Sequence, residues 1–203
     1  MILYLCSSRF IARRERRWIH KWLRALRRSP HERLRSANVI IRPHPEQGDA
    51  WRDWTGGPRV TVFPAESENP IEAESRMRYF HSLHFADVVV GLNSSSLIEA
   101  AILDKPVLSV EQPIEAHLRK TLHFGHLEQG LLRVGTDLAQ HLEQLAETLN
   151  GKRSSERSRR FVREFVRPLG VDRPAGEAMA AAVEQQVGAP AGAPYSRRPS
   201  YQT

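Results

Sequence analysis

Short runs of apolar residues alternate along this chain with longer segments in which apolar residues recur at every third or fourth position. The short runs stay apolar throughout, as strands do when both faces of a parallel sheet are covered. The longer segments have the period of helices with one buried face. The pattern therefore predicts an α/β fold, a parallel sheet with helices on both faces. The predicted strands are residues 2–6, 39–41, 60–63, 88–90, 106–110 and 131–134, and the principal predicted helices are residues 10–28, 71–85, 97–103 and 137–149.

The first predicted helix has an apolar face and a strongly basic face. Its apolar positions include Trp18 and Trp22, which we expect to pack on the sheet and leave the arginines in solvent. Between Arg13 and Arg35 the chain has ten Lys and Arg but only two acidic residues, and its formal charge is +7. An anionic partner is therefore expected. Nucleic acid is disfavoured because no zinc finger or RNA-binding signature is present, whereas contact with an anionic membrane surface stays open.

The 203 residues are enough for one well-buried domain, predicted as residues 1–170, followed by a helix over residues 171–187 and a tail over residues 188–203. The tail is rich in Gly, Ala, Pro, Ser and Arg without apolar periodicity, and we expect it to be disordered.

Cys6 is the sole cysteine, which excludes an internal disulfide and fits a reducing compartment. The N-terminal apolar run is too short for a signal peptide or a membrane span. A cytoplasmic protein is expected.

The strand predicted at residues 88–90 leads into a turn rich in Gly, Asn and Ser before the next helix begins. The start of a helix leaves backbone N–H groups unpaired and carries partial positive charge, so such a turn favours an anion, most simply a phosphate. The candidate ligands in the turn are Ser94, Ser95 and Ser96. Ser96 and Glu99 also have the spacing of a capping box, in which the Glu99 side chain would bond the backbone at Ser96.

A second candidate loop follows the strand predicted at residues 39–41. Pro43 and Pro45 fix the backbone on either side of His44, so its imidazole is held on a stiff loop. Open parallel sheets bind ligands at the carboxyl ends of their strands, where both loops can face one crevice. His44 either supplies a hydrogen bond or positive charge to a phosphate or simply fills the turn.

Three other polar residues lie at the same predicted strand ends. Arg42 either contacts phosphate or supports the loop of His44. Ser7 and Ser8 follow the first strand and either line the same crevice or form an ordinary strand–helix turn.

Two histidine pairs raise the question of a metal site. His81 and His84 are three residues apart, as are His123 and His126, but no cysteine or cluster of carboxylates completes a set of four ligands, and the HExxH arrangement is absent. We expect no metal and no cofactor. The start of the helix and the basic side chains would instead neutralise a bound phosphate.

The order of these segments resembles the C-terminal half of transferases with the GT-B fold. The matching stretches are residues 40–45, 86–91 and 94–107, and the likeness covers roughly residues 2–149. It is strongest to the group around bacterial sialyltransferases, capsule polysaccharide enzymes and CDP-glycerol glycerophosphotransferases. The resemblance implies a single Rossmann-like, GT-B-type C-terminal domain. In that group an HP motif and a serine motif contact the donor phosphates, and a glutamate in the next helix holds the ribose. The resemblance matches the HP motif to His44-Pro45, the serine motif to Ser94 to Ser96, and the glutamate to Glu99.

The resemblance further implies a nucleotide-sugar or CDP-alditol donor, bound without metal, and transfer of its glycosyl or phosphoalditol group in surface polysaccharide synthesis. His44 would be the catalytic residue, and the loop near Phe63-Pro64 would hold the base. The acceptor-binding half of GT-B enzymes has no counterpart here, so we expect a fragment, a chain that works beside another domain or partner chain, or one that kept only nucleotide binding. Two rival functions are a sugar epimerase of the UDP-N-acetylglucosamine 2-epimerase type, which has a similar Ser/Gly turn followed by Glu-Ala, and a non-catalytic nucleotide- or polyanion-binding module.

Overall fold

The computed structural model describes residues 1–12, 14–54, 56–66, 68–111, 122–151 and 154–187, with the side chains of all of these except 49, 50, 122 and 123. The described strands form one sheet in the order β3-β2-β1-β4-β5-β6, and every pairing is parallel. The α/β fold and the parallel sheet predicted from the apolar runs are confirmed. The strands are β1 (Ile2–Leu5), β2 (Val39–Arg42), β3 (Val60–Val62), β4 (Val88–Gly91), β5 (Val107–Val110) and β6 (Arg133–Gly135).

Helices cover both faces of this sheet. One group consists of α1 (Glu15–Arg27), α2 (Glu32–Arg35) and α6 (Leu138–Leu149). The other consists of α4 (Ser96–Ile102), α5 (Leu122–Gly130) and α7 (Glu156–Phe161), which continues as a π-helical turn over Val162–Val166. A 3₁₀ helix (Pro45–Trp51) follows β2, and α3 (Ala73–His84) connects β3 to β4.

The apolar face of α1 packs on the sheet as predicted. Trp18 and Trp22 are buried, whereas Arg17, Lys21 and other basic residues of the helix are exposed. The Trp22 ring lies 5.4 Å from the Tyr4 ring of β1 and 6.5 Å from the His141 ring of α6, measured between centroids. These contacts join α1, β1 and α6 in one core.

Some element boundaries differ from the prediction for local reasons. The helix predicted from residue 10 begins at Glu15, because the N–H groups of Ile11 and Ala12 donate to the Ser8 carbonyl and close a turn before it. Helix α7 lies outside the four principal predicted helices and begins at Glu156, where the Ser155 hydroxyl accepts from the Ser158 N–H at 3.1 Å. Serine caps of this kind stabilise short helices.

Residues Met1–Val166 form one compact unit, and the described residues from Arg167 to Val187 belong to a second. Helix α8 (Ala175–Val187) belongs to the second unit and has no buried residue. The tail predicted at residues 188–203 lies outside the described residues. Within the described part of the chain, no helix is both long enough and apolar enough to cross a bilayer.

Candidate active site at the carboxyl edge of the sheet

Three strands end together at the centre of the carboxyl edge of the sheet. Leu5, the last residue of β1, is in register with Arg42 at the end of β2 and with Gly91 at the end of β4. The chain proceeds from β1 to β3 in one direction and from β4 to β6 in the other. The loops that follow β1, β2 and β4 therefore meet at the point where the strand order reverses, which is the usual ligand position in an open α/β sheet.

A cleft of about 100 Å³ lies at this point. It brings together four residues predicted as site residues, Arg42, His44, Ser96 and Glu99. The other predicted residues, Ser7, Ser8, Ser94 and Ser95, lie at the same edge but do not line the cleft. The remaining lining residues are Leu5, Cys6, Pro43, Pro45, Glu68, Pro70 and Tyr79.

Arg42 is a buried cation that lines the cleft. Its side chain is 5% exposed, and Nη1 donates to the Ser82 hydroxyl at 3.3 Å. The guanidinium lies over the Tyr79 ring, with Cζ 5.0 Å from the centroid. Burial lowers the pKa of Arg42, while Tyr79 and Glu68 raise it and Arg78 lowers it; the guanidinium nevertheless stays charged, as arginine does in proteins. Nη2 has no hydrogen-bond partner among the described residues.

His44 has one ring nitrogen engaged by the backbone. Nδ1 accepts a hydrogen bond from the Glu46 N–H at 3.2 Å and caps the 3₁₀ helix. In the neutral imidazole this bond assigns the proton to Nε2, which can then donate to a ligand. The Glu46 carboxylate is 3.7 Å from the same Nδ1, but an ion pair there would need a proton on the nitrogen that the backbone N–H already faces. The flanking prolines and this cap both fix the ring beside the cleft.

The serine turn caps α4 differently from the predicted capping box. The Ser94 hydroxyl accepts from the Ser96 N–H at 3.3 Å and donates to the Ser96 hydroxyl at 3.1 Å. The N-cap residue, Ser95, makes no side-chain cap bond, and no cap bond joins Glu99 to Ser96. Glu99 is exposed and lines the cleft. Its carboxylate interacts with the Tyr79 hydroxyl and is also open to a ligand.

Ser7 is enclosed and already bonded to the protein. It is fully buried, and its N–H and hydroxyl donate to the Glu15 carboxylate at 2.8 and 3.3 Å. The Ser7 carbonyl accepts from Nε2 of Gln47 at 2.7 Å. Because Gln47 lies in the 3₁₀ helix after His44, this bond joins the loop after β1 to the loop after β2. Ser8 is half-buried, and its carbonyl closes the turn before α1.

Sequence reasoning missed Tyr79 and Glu68. The Tyr79 hydroxyl is buried beside the Ser96 and Glu99 side chains. Burial raises the pKa of Tyr79, and the charge of Glu99 raises it further. Tyr79 lies within a helix that the apolar spacing did predict, but that spacing does not show that its ring faces Arg42. Glu68 lies in an irregular segment, where no periodic pattern could have singled it out.

A larger cavity, of about 280 Å³, lies at the opposite, amino edge of the sheet near Pro106 and Arg133. Its polar groups are largely satisfied within the protein: the Thr148 hydroxyl donates to the Gln144 carbonyl at 2.8 Å, and Arg157 donates to the Leu132 carbonyl. The smaller cleft is the better candidate because it holds a buried guanidinium nitrogen without a hydrogen-bond partner among the described residues, Nη2 of Arg42. In the described residues no three His, Cys, Asp or Glu side chains converge as metal ligands would.

Solved structures with a similar fold exist, whereas no protein-family model and no curated protein matches the chain. A candidate UDP-N-acetylglucosamine 2-epimerase from Listeria monocytogenes superposes with a TM-score of 0.54 at 17% identity, over 93% of this chain and 46% of that chain. This chain shares its fold. At such low identity the likeness shows the fold alone.

Two further structures are less similar. The UDP-GlcNAc 2-epimerase of Methanocaldococcus jannaschii, solved with UDP-GlcNAc and UDP, gives a TM-score of 0.48 at 12% identity over 81% of this chain and 44% of that chain. The wall teichoic acid polymerase TagF gives 0.42 at 12% identity over 93% of this chain and 42% of that chain. The chain thus spans less than half the length of each of these three structures.

Proposed function

We propose that the cleft binds the diphosphate of a nucleotide-activated sugar or CDP-alditol, and that the chain is the donor-binding domain of a transferase in surface polysaccharide synthesis. The observation that carries this proposal is a buried arginine with an unpartnered nitrogen, placed with His44, Ser96 and Glu99 at the point where the strand order reverses. A phosphate oxygen satisfies such a nitrogen better than water does, because charge-assisted bonds to guanidinium are strong.

Each group has a role that follows from its chemistry. Arg42 supplies the positive charge, His44 donates from Nε2, and the Ser96 hydroxyl adds a third donor for the phosphates, with Ser94 and Ser95 on the same turn. The Glu99 carboxylate accepts hydrogen bonds from ribose hydroxyls. The cleft is smaller than typical ligand pockets of roughly 300 Å³ or more, so the base would extend along the sheet edge toward Phe63-Pro64.

In glycosyl transfer the bond between the sugar and the terminal phosphate oxygen breaks, and the leaving nucleotide diphosphate takes the electron pair. Arg42 and His44 would stabilise the charge that develops on that oxygen, which is the most effective position for preorganised donors. These groups can neutralise the leaving diphosphate without a metal ion. The acceptor hydroxyl would attack the sugar and lose its proton to a base on the acceptor side.

A sugar epimerase is a second candidate. The same cleft would hold the UDP part of its substrate, and the Listeria protein that shares the fold carries that name. A non-catalytic binding module would use the cleft in the same way. Incubation with UDP-N-acetylglucosamine in the absence of any acceptor, followed by NMR of the sugar, separates these functions: a 2-epimer shows epimerase activity, and an unchanged sugar leaves the transferase or the binding module.

The binding step is tested by calorimetry with CMP, CDP, UDP and GDP. We expect one diphosphate to bind best and Ser96→Ala or Glu99→Gln to weaken it about tenfold, or ~1.4 kcal/mol. His44→Asn retains an oxygen that can cap the 3₁₀ helix but cannot replace Nε2, so it should weaken binding without unfolding the loop. His84→Ala, an exposed histidine on α3, is the control. If none of the four nucleotides binds the folded protein, this proposal is wrong for the isolated chain.

A further inference from the structure

Glu68 places a carboxylate next to the unpartnered nitrogen of Arg42. Its Oε2 lies 3.9 Å from Nη2 of Arg42 and 3.4 Å from Nε of Arg78, and its Oε1 bonds Nη2 of Arg78. Glu68 is 24% exposed and lines the cleft. The Arg42 guanidinium of the candidate site therefore already has an anion beside it, the Glu68 carboxylate of the protein itself.

The two arginines depend on Glu68 to different degrees. Arg78 also pairs with Glu74, one turn earlier in α3, and is 34% exposed to water. Arg42 has no second carboxylate within 4 Å among the described residues and is 5% exposed. Loss of Glu68 would thus leave Arg78 with a partner and would leave Arg42 without one.

The contact between Glu68 and Arg42 is also incomplete. At 3.9 Å it is an ion pair but too long for a hydrogen bond, so the Nη2 donors of Arg42 remain unused. Burying an unsatisfied donor of a charged group is costly. A phosphate oxygen at a normal charge-assisted distance of about 2.8 Å would satisfy that donor. The Glu68 carboxylate, however, lies close to the position that this phosphate oxygen would occupy.

We propose that Glu68 is an internal competitor for the anion site on Arg42, and that a phosphate group binds there by displacing the Glu68 carboxylate. This inference rests on the proposed function, because the displacing anion is the phosphate of the donor. The ligand takes the place of a carboxylate that carries one negative charge. A ligand with more than one negative charge is therefore favoured, because it interacts with Arg42 more strongly than the carboxylate that it displaces. Glu68 therefore acts as a specificity-determining residue that selects diphosphates over neutral or singly charged molecules.

The test compares Glu68→Gln with Glu74→Gln. Both variants remove one carboxylate from Arg78, but only the first removes the charge beside Arg42. Calorimetry is performed with UDP, inorganic pyrophosphate and uridine, and thermal unfolding verifies that both variants are folded. We expect Glu68→Gln to bind UDP and pyrophosphate about tenfold more tightly than wild type. Glu74→Gln should stay within about twofold of wild type, and uridine binding should not change in either variant, since uridine carries no charge.

The outcomes separate this inference from the proposed function. If UDP binds wild type and Glu68→Gln equally, or binds the variant more weakly, the competition is wrong and the proposed function stands. If Glu68→Gln tightens pyrophosphate while no nucleotide binds, the competition stands and the nucleotide assignment is wrong. If UDP and the other nucleotides bind only after Glu68→Gln, Glu68 blocks the anion site, so the competition stands and the proposed donor binding by the wild-type chain is wrong. Binding of neither anion to wild type or to Glu68→Gln overturns both.

Discussion

Glu15 is an acidic side chain buried in the core beside β1. It is the first residue of α1 and is 2% exposed. Its carboxylate accepts hydrogen bonds from the Tyr4 hydroxyl and from the N–H and hydroxyl of Ser7. These bonds favour the charged form, but the loss of hydration is larger, and burial raises the pKa of Glu15 from 4.5 to about 8. At neutral pH the folded protein therefore holds this carboxyl group largely protonated.

Glu15→Gln should remove a pH dependence of stability. A carboxyl group whose pKa is higher in the folded chain stabilises the fold fully below pH 4.5, and this contribution is lost as pH rises from 4.5 to about 8. The difference corresponds to about 5 kcal/mol at most. We expect the Tm of wild type, measured by circular dichroism, to decline from pH 6.5 to 8 and the Tm of Glu15→Gln to stay nearly level over that range. Glu32→Gln, at an exposed glutamate of α2, should behave as wild type; parallel curves for Glu15→Gln would contradict the assignment.

His141 gives the stability of the fold a pH dependence opposite to that of Glu15. Its ring is fully buried in α6 and its Nδ1 faces the Ser109 carbonyl at 3.3 Å. Burial lowers the pKa of His141 from 6.5 to about 4, so its contribution to stability is present above pH 6.5 and is lost as pH falls toward 4. Between pH 4.5 and 6.5 the two groups act in opposite directions in wild type. In Glu15→Gln only the His141 contribution remains, so the Tm of this variant should fall as pH decreases from 6.5 toward 4.

At the scale of elements, Gly91 controls how closely α4 approaches the sheet. A Cβ atom at this position would lie 2.8 Å from Cδ2 of Leu97 in α4 and 3.1 Å from the Leu5 carbonyl of β1. Both neighbours are buried, and the carbonyl belongs to the sheet backbone, so neither can move freely. The absence of a side chain at Gly91 thus keeps Ser96 and Glu99 beside the end of β1.

Gly91→Ala should therefore displace α4 and weaken the site. Overpacking of this kind costs about 1–3 kcal/mol of stability, and UDP binding should weaken because Ser96 and Glu99 move away from Arg42. Gly125→Ala is a matched control, since nothing lies within 4 Å of a Cβ at that helical position and alanine favours a helix by up to ~1 kcal/mol. Urea unfolding and calorimetry measure both effects. Unchanged binding in a destabilised Gly91→Ala would show that the cleft does not depend on the position of α4.

At the scale of elements, some parts of the fold and of the candidate site could be predicted from the sequence and others could not. Strands and the main helices follow from apolar spacing alone, and parallel pairing then places His44, Ser96 and Glu99 at one edge, because the strands before them end in register. The packing of α3 decides the rest. It brings Tyr79 and Glu68 to Arg42, although neither residue belongs to a local pattern that points to this contact.

At the scale of the whole molecule, the candidate site and the described core lie in the first compact unit. Every buried apolar residue among those described falls between Ile2 and Val162, within Met1–Val166. The cleft is lined by residues between Leu5 and Glu99. The second unit contributes α8, an exposed helix without buried side chains. Folding and ligand binding should therefore both be properties of the first unit.

A chain that ends at Val166 is thus expected to fold cooperatively and to bind UDP as the full chain does. The truncation removes no buried apolar side chain of the described residues, so the loss of stability should be under about 1 kcal/mol, which corresponds to roughly 2–4 °C in Tm for a chain of this size. Circular dichroism melts and calorimetry on both proteins measure the two quantities. A fall in Tm of more than about 10 °C would show that the first unit needs the residues after Val166, and weakened UDP binding at unchanged Tm would show that those residues reach the ligand.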